Sequence, residues 1–254
     1  MFTPKHFIWI GMCIVLIAIL LFISLKFKFK KKTALYIMCG ITVASELLKL
    51  FTNIIMVYDE YGNLYRGFID PKALPLHLCS FFIFIFFFML FNKNEELEKK
   101  IISFFVPIGL IGAILAILFA TTGVEFTSPI TWQNFIYHAG MIYLALYYMI
   151  TKQVDLGLKA YIRNLIILCF LVIVMIWVNG ALSAYDTNYF FVCRPPAKNL
   201  PFLNLKSGWH IYFLRIVFCG LLFETIICLP YIIKEKKNKK ALPEAPEESP
   251  SNNN

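Results

Sequence analysis

Hydrophobic residues in this chain run in long blocks; they do not recur every third or fourth position as on a half-buried helix. A helix that crosses a bilayer needs roughly 20 mostly apolar residues, and seven blocks reach that length, at about 7–27, 34–57, 73–91, 100–121, 130–150, 161–184 and 207–233. The pattern predicts an all-α, polytopic membrane protein, a seven-transmembrane helical bundle spanning residues 1–233, with loops too short to hold a soluble domain. The first block is not a signal peptide: it is too long, has no small-residue cleavage site, and runs straight into Lys26, Lys28, Lys30, Lys31 and Lys32. Residues 234–254 turn Lys-rich and then rich in Pro, Glu and Asn, which predicts a disordered cytoplasmic tail.

Composition agrees with the block pattern. Of 254 residues 59% are hydrophobic and only 15% charged, against about a quarter charged in a typical soluble domain. This excludes an ordinary soluble protein, a disordered chain and a secreted disulfide scaffold. Cys13, Cys39, Cys169, Cys219 and Cys228 lie in apolar runs, where Cys acts as a small hydrophobe. Cys193 falls in a loop where it could be oxidised, and only Cys79 has polar neighbours.

The net charge of +9 reads as a topology signal. Most Lys and Arg fall in 26–33, 92–100, 151–164 and 234–254, so these segments are expected to be cytoplasmic, with the N-terminus outside and the C-terminus inside the cell membrane. Trp9, Trp132 and Trp209 then lie near outer helix ends. Anionic lipid headgroups are the expected partner of the lysines. No basic stripe with interleaved aromatics points to nucleic acid, and no soluble partner is implied.

Ionisable side chains inside a bilayer are costly and usually mark a functional interior. Here they are Glu46 and Lys49, His77, His138, His210, Arg215 and Glu224, with Asn134 and Asn179 adding uncharged polarity. His6 precedes the first span and is expected to be solvated. At 1.5 Å per residue, the expected depths are about 5–6 Å for His210 and His77, about 8–9 Å for Asn179 and Cys79, about 12 Å for His138 and Arg215, and about 16 Å for Glu46. Helices of opposite direction thus place their polar groups at one level, which predicts a polar cavity open to the outer face.

Each group has a plainer reading. Glu46 and Lys49, three apart, can neutralise each other. His210 can sit among headgroups, Arg215 can snorkel or bind a phosphate, Glu224 can join an inner network, and Asn179 can bond a neighbouring helix. Cys79 and His138 form the sharper pair, because a thiol needs a base to become a nucleophile. A metal site built from His77, Cys79, His138 and His210 lacks ligands at helical i, i+4 spacing, so no metal and no other cofactor is expected.

Pro75, His77, Cys79 and Ser80 open the third span, His138 follows in the fifth, and Asn188, Tyr189 and Phe190 precede Pro195 and Pro196. With seven spans, these elements resemble the YwaF-like bacterial membrane proteins, related to the transmembrane protein 164 family. The animal members are regarded as membrane acyltransferases that remodel phospholipids. The resemblance implies Cys79 as acyl-carrying nucleophile and His138 as its base, with membrane phospholipids as substrates. His77, Asn134 or His210 would then be oxyanion donors and Arg215 a phosphate partner, with Glu46 and Asn179 in support. The alternative is a lipid or small-molecule transporter or flippase using the same cavity. Such proteins usually carry inverted repeats and broken helices in matching positions; no repeat is visible, and Pro107 in the fourth span has no counterpart at a matching position.

Overall fold

The structure is a computed structural model and describes residues 2–120, 122–197, 200 and 202–241. Seven α-helices are present among them: α1 (Pro4–Lys26), α2 (Lys31–Thr52), α3 (Leu78–Phe91), α4 (Glu95–Phe119), α5 (Pro129–Ile150), α6 (Leu158–Ala181) and α7 (Trp209–Ala241). The molecule is a helical membrane protein. Pro4–Lys26, Lys31–Thr52, Glu95–Phe119, Leu158–Ala181 and Trp209–Asn238 are long and apolar enough to cross a bilayer. With 14 residues, α3 is about 21 Å long, short of a hydrocarbon core of about 30 Å.

Helix α5 is the axis of the bundle and packs against α1, α2 and α4. Its Asn134, His138, Tyr143, Tyr147 and Tyr148 are all buried, a composition suited to a helix shielded from lipid by its neighbours. Large apolar side chains of α1, α6 and α7, among them Phe22, Phe170, Trp177 and Leu214, stay exposed, as expected of lipid-facing surfaces.

Successive helices alternate in direction. At one end, His6 Nε2 donates to the Ile117 carbonyl at 2.8 Å and Trp9 Nε1 to the Val124 carbonyl at 3.1 Å. At the other, the Tyr147 hydroxyl donates to the Phe29 carbonyl at 2.6 Å and Ser24 bonds Tyr143 at 2.7 Å. Trp9 stacks on Phe135 with ring centres 4.7 Å apart, closing the first end between α1 and α5. His6 is fully buried in this junction, with the Phe2 N–H donating to its Nδ1 at 3.1 Å. The solvated His6 expected from its place before the first span is thereby corrected: the ring closes the start of α1 onto the end of α4.

Helix limits differ from the expected spans, among other places at the ends of α2 and α7 and the starts of α3 and α4, where α4 already begins at Glu95. Helix α2 stops at Thr52, and Ile54–Tyr58 pairs antiparallel with Leu64–Ile69 as hairpin β1–β2. Asp59 Oδ1 accepts from the Tyr61 and Asn63 N–H groups in the turn, and Gly62 supplies the left-handed φ of 82°. Helix α3 begins at Leu78, after a 3₁₀ turn at Pro71–Ala73. Helix α7 continues to Ala241, so the first part of the expected tail is helical; residues 242–254 lie outside the described residues, as does Lys198 of the outer loop.

Candidate functional site

The site is built where the first turn of α3 meets α2, α4 and α5. His77 is the N-cap of α3 and Cys79 its second residue. The N–H groups of Leu78, Cys79 and Ser80 therefore have no carbonyl a turn earlier to bond, and the His77 side chain does not cap them. Peptide dipoles at such a terminus favour negative charge nearby.

Two neighbours fix Cys79. The Tyr137 hydroxyl of α5 donates to its carbonyl at 2.7 Å. On α4, Gly112 leaves room for the thiol: a Cβ built there would stand 3.4 Å from Cys79 Sγ. A Cβ at Gly109 would stand 3.4 Å from Met141 Cε. Helices α4 and α5 run antiparallel, so Gly112, three residues on from Gly109, lies nearer the N-terminal end of α5 than Gly109 does. The thiol thus packs against an α4 position that has no side chain.

His138 is 8% exposed. Its Nδ1 lies 2.6 Å from the carbonyl of Asn134, one turn earlier on α5. A carbonyl can only accept, so Nδ1 carries the proton and Nε2 keeps its lone pair, the form a general base requires. Asn134 is 6% exposed, and its amide nitrogen is buried without a hydrogen-bond partner.

Glu46 and Lys49 form an ion pair of 2.9 Å on α2. Because α2 ends at Thr52, Glu46 is only about 9 Å from the helix end, shallower than the expected depth and closer to the level of the other groups. The pair neutralises itself, as its spacing allowed.

The Asn188–Phe190 element covers His77. The imidazole packs edge-on against Tyr189, ring centres 5.2 Å apart, and lies 5.4 Å from Phe191. Asn179 of α6 holds this cover: its Oδ1 accepts from the Tyr189 N–H at 2.8 Å and its Nδ2 donates to the Tyr189 carbonyl at 3.1 Å. The Tyr189 hydroxyl donates to the Pro71 carbonyl, Tyr212 to the Phe191 carbonyl, and Trp209 Nε1 to the Val192 carbonyl at 2.9 Å. Phe190 and Phe191 both adopt left-handed φ, 56° and 54°, a conformation that costs on the order of 1 kcal/mol or more for a bulky residue. Further along, the Arg194 guanidinium beside Asp186 holds that carboxyl below its usual range, and burial pushes the Cys193 thiol up.

The other sequence candidates stand apart. His210 is exposed against Trp209. Arg215 donates to the Phe202 carbonyl at 3.2 Å, with its guanidinium over the Phe202 ring. Glu224 is buried on α7 beside Asn164 and Cys228. Two clefts at the opposite end of the bundle, around Lys28, Lys30, Lys31, Lys99 and Lys152, contain no thiol or imidazole. Among the described residues, no three His, Cys, Asp or Glu side chains gather as a metal-binding group.

Sequence reasoning missed Tyr137 and Gly112. The signal for Tyr137 was its place beside His138, since a buried Tyr hydroxyl needs a partner. The signal for Gly112 was a second glycine one turn from Gly109.

Apolar helices around a polar central helix define a polytopic integral membrane protein. The chain belongs to the TMEM164 family, whose family model matches residues 1–228. No curated protein and no solved structure matches it.

Proposed function

We propose that this protein is a membrane phospholipid acyltransferase that works through an acyl-thioester on Cys79, with His138 as the base. The observation that carries the reading is the Cys79 thiol against Gly112, with the Cys79 carbonyl bonded to Tyr137, the residue before His138, whose own lone pair is left at Nε2. Membership of the TMEM164 family agrees with a role of this type.

In the proposed reaction His138 Nε2 takes the thiol proton. The thiolate attacks the ester carbonyl carbon of a diacyl phospholipid. A C–S bond forms and the carbonyl electron pair moves to oxygen. Collapse breaks the C–O bond, and the departing lyso-lipid oxygen takes the proton held by His138. An acceptor hydroxyl, such as that of another lyso-lipid, then gives its proton to His138 and attacks the thioester. The thiolate leaves and regains the proton. A phospholipid ester lies just below the headgroups, which suits a thiol in the first turn of a helix.

The bundle is proposed to cross the cell membrane seven times, with the N-terminus outside. Support comes from the α1–α2, α3–α4 and α5–α6 loops, which share one end of the bundle and hold Lys28, Lys30, Lys93 and Lys152.

The reading is tested by incubating the purified protein with a labelled diacyl phospholipid and measuring intact mass. An acyl adduct that hydroxylamine removes, and that Cys79→Ser abolishes, is expected. No adduct and no acyl exchange with any phospholipid overturns the reading and favours passage of lipid through the same interior.

A further inference from the structure

Every chemical step above passes through a tetrahedral centre whose oxygen carries negative charge, and such an oxygen needs fixed donors. The candidates from sequence were His77, Asn134 and His210. His77 is covered by Tyr189 and Phe191, and His210 is exposed against Trp209 at the start of α7. Asn134 differs from both. It is buried in the central helix, and its amide nitrogen has no partner among the described residues. A buried donor left unpaired is destabilising, and native interiors rarely keep one without a use.

Its location fits that use. Asn134 and Tyr137 are three apart on α5, so their side chains are neighbours. Both point toward the α5 N-terminus, as helical side chains do. The Tyr137 hydroxyl already touches the Cys79 carbonyl, so Asn134 lies beside the first turn of α3. There the Cys79 N–H has no carbonyl a turn earlier to bond and faces its own thiol, and the N-cap His77 side chain does not take it. Asn134 is also tied to the base, because its carbonyl accepts from His138 Nδ1.

We infer that Asn134 Nδ2 and the Cys79 backbone N–H form the oxyanion hole of the acyl-transfer reaction, receiving the ester oxygen of the lipid as the thiolate adds to its carbonyl carbon. This rests on the acyl-transfer reading. It makes Asn134 a catalytic residue whose donor is satisfied only when an ester carbonyl is bound. The ligand class follows: a carboxylic ester whose carbonyl oxygen reaches α5 while its carbon reaches Cys79 Sγ.

The test separates this role from a structural one. Asn134→Leu keeps the shape and removes the donor; Asn134→Ala is the second variant. For each, three quantities are measured on purified protein: acyl-adduct formation from a labelled diacyl phospholipid, alkylation of Cys79 by iodoacetamide resolved by peptide mass spectrometry, and thermal stability. Alkylation is a direct displacement with no oxyanion, so it is expected to be unchanged. Acylation is expected to fall about 10²- to 10³-fold, the usual loss for one oxyanion donor. The melting temperature is expected to hold or rise, since an unpaired buried donor is removed. Unchanged acylation in both variants overturns the inference and leaves the acyl-transfer reading standing. A parallel fall in alkylation and acylation, or a lowered melting temperature in both variants, assigns Asn134 to the fold and overturns it as well. Absence of an adduct in the wild-type protein overturns both readings together.

Discussion

The Tyr137 hydroxyl donates to the Cys79 carbonyl at 2.7 Å, and this bond joins the first turn of α3 to the residue beside His138. It sets the thiol and the imidazole in one frame although they belong to different helices. Tyr137→Phe removes it with little change in shape. The expected cost in stability is about 0.5–1.5 kcal/mol. Acyl-adduct formation is expected to fall about ten- to a hundredfold, because small misplacements of reacting groups are expensive. Melting temperature and adduct formation are measured side by side; an unchanged rate would show that other contacts fix α3.

Gly112 is expected to admit the thiol by having no side chain. A Cβ there would be in ordinary contact with Sγ at 3.4 Å, so Gly112→Ala should fold well and gain about 1 kcal/mol of helix stability. Gly112→Val adds methyl groups onto the thiol and should block both acylation and alkylation of Cys79. The check is the rate of iodoacetamide alkylation across the three proteins. Equal rates in all three would mean that Cys79 reacts from another side.

Asn179 makes two hydrogen bonds to the backbone of Tyr189. Asn179→Ala leaves those groups unpaired and should cost about 1–3 kcal/mol. The cover over His77 should loosen, so proteolysis between Asp186 and Arg194 is expected to quicken. Limited proteolysis in detergent with mass mapping of the cut sites checks this, and an unchanged cleavage pattern would mean that Tyr212 and Trp209 hold the loop alone.

Cys193 is expected to react with a membrane-impermeant maleimide from outside intact cells. Burial pushes its thiol above the ordinary value, so less thiolate is present at neutral pH. Labelling should be slow near pH 7 and keep accelerating beyond about pH 8.5, the ordinary midpoint of a free thiol. Labelling only after permeabilisation would invert the proposed orientation.

Much of this molecule was written in its hydropathy. Each of the seven apolar blocks holds a helix, and five of these helices are long and apolar enough to cross a bilayer, because an apolar run in lipid satisfies its backbone as a helix. Cys79 and His138 stood out because reactive groups are rare in such blocks. The hairpin was less legible. Ile54–Tyr58 is as apolar as the helix before it, and only the Asp59–Asn63 turn residues marked the change.

Tertiary structure decided what depth along a helix cannot, namely which way each helix turns. Packing of α5 between α1, α2 and α4 drew Tyr137 onto Cys79, placed Gly112 beside the thiol and left the Asn134 amide without a partner. The same packing sent His210 and Arg215 elsewhere, although their expected depths matched. Composition sets the solvent a helix prefers, while rotation and register depend on side chains that are distant in sequence. The sequence by itself determined a helical membrane protein with a thiol and an imidazole in its apolar blocks; only the folded bundle decided which neighbours would stand beside them.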